Sequence, residues 1–175
     1  MKNKNQITKS IALISMFLSI LIICSWITIP YTIPFTLQTL AIFCIILLTN
    51  IRVSLVIIIL YILLGMLGFP VFSSFQGGIG IILGPTGGFI IGFIPMIITS
   101  SILKYIIKEK KFYFISLFIG LIVCYTFGSI WYYYLYKLES NFYDVLLVSV
   151  LPFIIPDIIK ILISILIVNR INKKD

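Results

Sequence analysis

Apolar residues run along this chain in long blocks, separated by short polar or glycine- and proline-rich connections. A helix needs about 20 apolar residues to cross a hydrocarbon core. Blocks of that order predict helices over Ile7–Ile29, Phe35–Thr49, Val53–Gly68, Pro85–Leu103, Phe112–Tyr134 and Val145–Val168. The second and third are short for a full crossing. The fold class this predicts is an all-α membrane protein of six transmembrane helices, one polytopic domain over residues 1–175. The longest strongly polar connection is Lys104–Lys111, which leaves no room for a soluble domain. The first block follows Lys2, Lys4 and Lys9 as a signal peptide would, but it runs from Ile11 to about Ile29 with no small-x-small site after it, and reads as a span.

Two features interrupt the pattern. The last block carries Pro152 and Pro156, and proline removes a backbone donor and crowds the preceding turn. A break near Pro152–Pro156 is expected, with a fresh helix from Pro156 and Asp157 in its first turn, where the helix dipole favours a carboxylate. Between the third and fourth blocks, nine of the eleven glycines fall in Gly65–Gly92. That segment has no charge, and it carries Phe72, Phe75, Ile79 and Ile81, so it reads as a structured outer loop folded over the helices. Gly84, Gly88 and Gly92 recur every four residues and predict close packing of one face of the fourth helix.

Composition agrees: 61% of residues are hydrophobic and 10% charged, with a mean hydropathy of +1.23. The net charge of +8 reflects orientation rather than nucleic-acid binding, because of where the cations lie. Six spans put Lys2, Lys4, Lys9, Arg52, Lys104, Lys108, Lys110, Lys111, Arg170, Lys173 and Lys174 on one side and Lys137 on the other. Both termini are therefore expected in the cytoplasm. Trp26, Tyr31, Trp131, Tyr132, Tyr133, Tyr134 and Tyr136 then fall at the outer interface, where such rings anchor. Histidine is absent, and Cys24, Cys44 and Cys124 lie singly in apolar blocks, so neither a metal site nor a disulfide frame is expected.

Asp157 and Lys160 are the only ionisable groups deep inside an apolar block. Charge at membrane depth is costly and marks a functional interior. Three residues apart on a helix, the two share a face. Gln38, with Thr36 and Thr39, opens the second block, and its amide needs a partner within a span. These groups and the 73–80 loop all belong to the outer half and converge on one pocket in this reading. Gly84-Pro-Thr-Gly-Gly lacks the Gly-Lys-Ser/Thr ending of a phosphate loop, so no nucleotide site is expected.

Four stretches carry a family resemblance: Ile33–Leu40, Tyr61–Phe72, Gln76–Gly88 and Leu151–Lys160. Together, in order and over nearly the whole chain, they resemble the BioY proteins, the biotin-binding S-components of energy-coupling-factor (ECF) vitamin transporters. The resemblance implies six helices, a vitamin site near the outer surface and no ATPase activity in this subunit. It also implies a transmembrane coupling protein and two cytoplasmic ATPases as partners, with biotin carried as substrate and no cofactor. Phe89 stands where the family often has tyrosine, and Ala12, Ser15 and Ser19 supply the small-residue stripe with which S-components dock. For biotin, Asp157 is expected to accept ureido N–H bonds, and Lys160 to meet either the ureido oxygen or the valerate carboxylate. Gln38 and Gln76 are neutral partners, and Tyr61, Phe72 and Phe75 enclose the ring. Thr36, Ser74, Gly77, Gly78 and Thr86 complete the expected contacts. An S-component for another small vitamin is the alternative. A membrane-embedded enzyme fits less well, because only one carboxylate and one lysine are buried, and a passive channel would need a continuous polar stripe.

Overall fold

The computed structural model describes residues 2–29, 33–107, 109–136, 142–171 and 173. Tyr31, Lys108, Lys137 and Lys174, used above for topology, lie outside these residues, as do the side chains of Lys2 and Lys4.

Helix α1 spans Lys2–Trp26 and is followed by an antiparallel pair, β1 (Thr28–Ile29) and β2 (Phe35–Thr36), in register Thr28↔Thr36. Then come α2 (Gln38–Leu48) and α3 (Ile51–Met66). After a turn at Ser73–Phe75 follow α4 (Ile79–Ile82), α5 (Gly87–Ile107), a turn at Lys110–Phe112, α6 (Tyr113–Tyr136), α7 (Phe142–Ser149) and α8 (Leu151–Ile171). Among the described residues, four helical segments are long and apolar enough to cross a membrane: Gln6–Trp26, Gly87–Ile107, Lys110–Leu135 and Leu151–Ile171. Helix α2, with 11 residues, reaches only about 16 Å at 1.5 Å per residue.

Three sequence expectations are corrected. The first helix stops at Trp26, and Phe35–Thr36 is strand rather than the start of a helix. Pro34 offers no donor and biases its predecessor towards extended backbone, and the chain doubles back, with the Leu37 N–H donating to the Ile27 carbonyl at 3.2 Å. Gly84 precedes α5 rather than lying on its face. Gly88 and Gly92 do pack as expected: a Cβ at Gly88 would strike the Trp131 side chain, and one at Gly92 would crowd Cys124.

The third correction concerns the last segment, which breaks at Val150, ahead of both prolines, and continues as helix through Pro156. Pro152 sits in the first turn, where a missing N–H is harmless. Pro156, four residues on, forfeits only the bond to the Pro152 carbonyl. Asp157 consequently occupies the second turn of α8 and not a helix start.

Helix α2 lies at the centre. Ile42, Phe43, Ile45 and Ile46 are all essentially fully buried, and α2 packs on α8, α1, α5 and α3. Its far end is held by an unexpected group. Lys104, in the last turn of α5, donates to the carbonyls of Ile46 (2.6 Å), Leu47 (3.0 Å) and Thr49 (3.1 Å). The carbonyls at a helix C-terminus have no intrahelical partner and carry the negative end of its dipole. Lys104 therefore caps α2 and is not a free surface charge. Asn50 accepts from the Val53 N–H at 3.0 Å, which starts α3 and closes the turn.

The glycine-rich segment is a built structure. Phe72 is buried beneath it and meets Tyr61 edge-on at 5.4 Å, over Gly65, where any side chain would collide with the Phe72 ring. Ser25 and Trp26 of α1 donate to the carbonyls of Val71 (2.6 Å) and Pro70 (2.7 Å), and Trp131 of α6 donates to Gly84 (3.0 Å). Three side chains from two helices thus fix its path.

Lys104→Met strands three half-buried carbonyls at the end of α2. Each unmade bond of this kind costs about 1–3 kcal/mol, so thermal unfolding in detergent is expected to fall clearly below that of the unsubstituted protein. An unchanged midpoint would contradict the capping role.

Candidate ligand-binding site

Asp157 and Lys160 share one turn of α8, with side chains only 4% and 12% exposed and Lys160 Nζ 2.8 Å from Asp157 Oδ1. Helix α2 brings Thr39 to them: its hydroxyl donates to Asp157 Oδ1 at 2.9 Å and accepts from Lys160 at 3.0 Å. The third Lys160 proton goes to the Thr36 carbonyl at 2.8 Å, in strand β2. From α6, the Tyr125 hydroxyl donates to Asp157 Oδ2 at 2.7 Å. Lysine has three donors, and all are used; a carboxylate has about four acceptor positions, and three are filled. The one left lies on Oδ2, beside Tyr125.

These bonds let a buried charge pair persist. Removing two charges from water costs several kcal/mol each, which mutual attraction offsets only when further hydrogen bonds satisfy both groups. Here α2, β2 and α6 supply them. Gln38 is held separately: its Nε2 donates to the buried Tyr61 hydroxyl at 2.8 Å, and its backbone N–H reaches the Thr36 hydroxyl at 3.3 Å.

These groups open onto a pocket of about 80 Å³ between the β1–β2 hairpin, α2, α5, α6 and α8. Asp157, Lys160, Thr36, Gln38, Phe72 and Thr86, all expected from the sequence, line it. Thr39, Ser73, Phe89, Phe93, Tyr125 and Phe153 line it too. The stacking of Phe35 on Phe153, with centroids 4.3 Å apart, ties the hairpin to α8 at the pocket. Ligand pockets generally start at about 300 Å³; this one is smaller, and its polar groups are bonded to one another.

The remaining expected residues stand elsewhere. Tyr61 is fully buried behind Gln38 and positions that amide without facing the pocket. Ser74, Phe75, Gln76, Gly77 and Gly78 do not line the pocket. Phe75 is 63% exposed and stacks on Trp26 with centroids 4.9 Å apart. Gly77 and Gly78 serve the loop's own course: a Cβ at Gly77 would strike the Phe69 carbonyl, and Gly78, at φ +100°, donates to the Gly65 carbonyl at 2.7 Å. Ala12, Ser15 and Ser19 lie exposed on α1, away from the pocket. Tyr125 was missed, although a tyrosine in the middle of an apolar block signals a hydroxyl in need of a partner. Among the described residues no cluster of side chains is suited to hold a metal ion.

Comparison with known proteins agrees with this architecture. The BioY family profile matches residues 1–174. A probable biotin transporter BioY from Pyrococcus horikoshii is 34% identical over 165 residues, covering 94% of this chain and 96% of that protein. The biotin transporter BioY of Thermotoga maritima is 30% identical over 161 residues, covering 90% and 92% respectively. Among solved structures, the S-component for biotin from an ECF-type ABC transporter superposes with a TM-score of 0.88 over 97% of this chain and 93% of that one; at 23% identity this similarity speaks for the fold. With the profile spanning nearly its whole length, and relatives of this identity matching it almost end to end, this chain belongs to the BioY family.

Proposed function

We propose that this chain is the substrate-binding S-component of an ECF-type importer, that its substrate is biotin, and that the Asp157–Lys160 pocket holds the vitamin. The observation that carries the reading is the buried ion pair opening onto a pocket of aromatic rings and neutral polar groups, in a family whose named relatives are biotin transporters. Biotin's ureido head has two N–H donors flanking a carbonyl. A carboxylate and an ammonium 2.8 Å apart suit neighbouring atoms of that head better than opposite ends of the molecule. Asp157 then accepts from a ureido N–H, and Lys160 exchanges its bond to the Thr36 carbonyl for one to the ureido oxygen rather than to the valerate tail. Phe72, Phe89, Phe93 and Phe153 supply the apolar wall for the fused rings. Thr36, Gln38 and Thr86 are further polar neighbours.

On this reading the chain forms one membrane domain of six spans, with α2 and α3 as short crossings among longer helices. Both termini lie in the cytoplasm of a bacterial cell, and the pocket is near the outer surface. The chain has no nucleotide site of its own. A membrane coupling protein and two cytoplasmic ATPases supply the energy, and α1 meets the coupling protein along Ala12, Ser15 and Ser19. Their exposure supports that contact.

Titration of biotin into the purified chain in detergent tests the reading. Charge-assisted bonds contribute about 1.5–3 kcal/mol each, and stranding the partner charge adds to the loss. Asp157→Asn and Lys160→Ala are each expected to weaken binding about tenfold or more, since 1.4 kcal/mol is one decade. Folded wild-type protein that ignores biotin but takes another vitamin from a panel would reassign the substrate. Normal binding by both variants would remove the site.

A further inference from the structure

A second cavity, open on one side and of about 350 Å³, lies between α6, α7 and α8. Its lining is largely apolar, with Phe118, Leu146, Val150 and Ile154 among its walls. Leu121 and Tyr125 line both this cavity and the smaller polar pocket, and so form the partition between them. Open volume therefore lies directly behind Tyr125, on the far side from Asp157.

We propose that Tyr125 is a placeholder on Asp157, holding the carboxylate while the pocket is empty and withdrawing into the second cavity when a ligand with N–H donors arrives. The inference rests on reading the Asp157 pocket as the biotin site. A buried carboxylate left short of donors is strongly destabilising, so the empty protein needs a substitute for the ligand. The two oxygens are not equally replaceable. Oδ1 is held by Thr39 and Lys160, which also bond each other, so freeing it breaks a closed triangle. Oδ2 is held by the Tyr125 phenol, whose ring has open volume on its other side. An arriving ureido N–H bonds Oδ2 at its open position, the ligand ring takes the place of the phenol, which swings back, and the two spaces join into one of ordinary ligand-pocket size, roughly 300–1,000 Å³. Ser129, one turn along α6, lines the second cavity and has a buried hydroxyl with no hydrogen-bond partner among the described residues, so the displaced phenol does not enter a wholly apolar space.

A placeholder competes with the ligand, which fixes the sign of its mutation. Tyr125→Phe removes the competing donor while keeping the ring. Biotin affinity of the full chain in detergent, measured by calorimetry, is expected to tighten by about threefold or more, alongside a lower unfolding midpoint of the ligand-free protein. Leu146→Trp fills the space behind the ring without touching Asp157 and is expected to weaken binding about tenfold or more. Weaker or unchanged affinity in Tyr125→Phe overturns the inference, as does unchanged affinity in folded Leu146→Trp, which decides the matter if Tyr125→Phe does not fold. Wild-type protein that binds no biotin overturns the reading of the site and this inference with it. Wild-type binding with both variants unchanged overturns this inference alone.

Discussion

One carboxylate organises the polar interior of this protein. Asp157 is 3% exposed and sits on a helix whose other side chains are almost all apolar. It can remain charged there only if donors reach it from other elements, and Thr39 from α2, Tyr125 from α6 and Lys160 from α8 do so. Lys160 extends the arrangement to the Thr36 carbonyl and so to the β1–β2 hairpin. Satisfying that one charge brings three helices and the hairpin to a common point. Stability alone would be served as well or better by apolar residues of similar volume. On the proposed function, the pair is retained because a small polar molecule can exchange with the bonds it makes.

The same need to satisfy polar groups explains the position of α2. This helix is too short to be anchored by length, and a lysine engages it at each end. Lys160 binds the Thr36 carbonyl and the Thr39 hydroxyl at its start, and Lys104 binds three carbonyls at its finish. Gln38, the first residue of α2, is steadied by Tyr61 of α3, which in turn packs against Phe72 of the glycine-rich segment. The walls of the pocket are thereby tied to the bundle and to the segment joining α3 and α5.

Much of this was legible in the sequence wherever a residue broke a strong pattern. Asp157, Lys160, Thr36 and Gln38 stood out as polar groups within apolar blocks, and all four line the pocket. Where the outcome depended on long-range partners, the sequence was silent. Lys104 reads as an orientation charge until the end of α2 is placed beside it. Gln76, Gly77 and Gly78 read as ligand contacts, yet their segment is steered by Phe72, Ser25, Trp26 and Trp131, which no local spacing reveals. The two-residue strands are too short to show any periodicity. Tyr125 was hidden because apolar blocks rich in aromatics make one more tyrosine look like bulk.

The central claim is that the buried ion pair exists for a ligand and not for the fold. Replacing both partners at once, Asp157→Leu with Lys160→Met, tests it most directly, because no lone charge is left behind. The variant should be followed by biotin calorimetry and thermal unfolding in detergent. The account predicts that binding is lost while the unfolding midpoint equals or exceeds that of the unsubstituted protein. A variant that still binds biotin, or one that no longer folds, would contradict it.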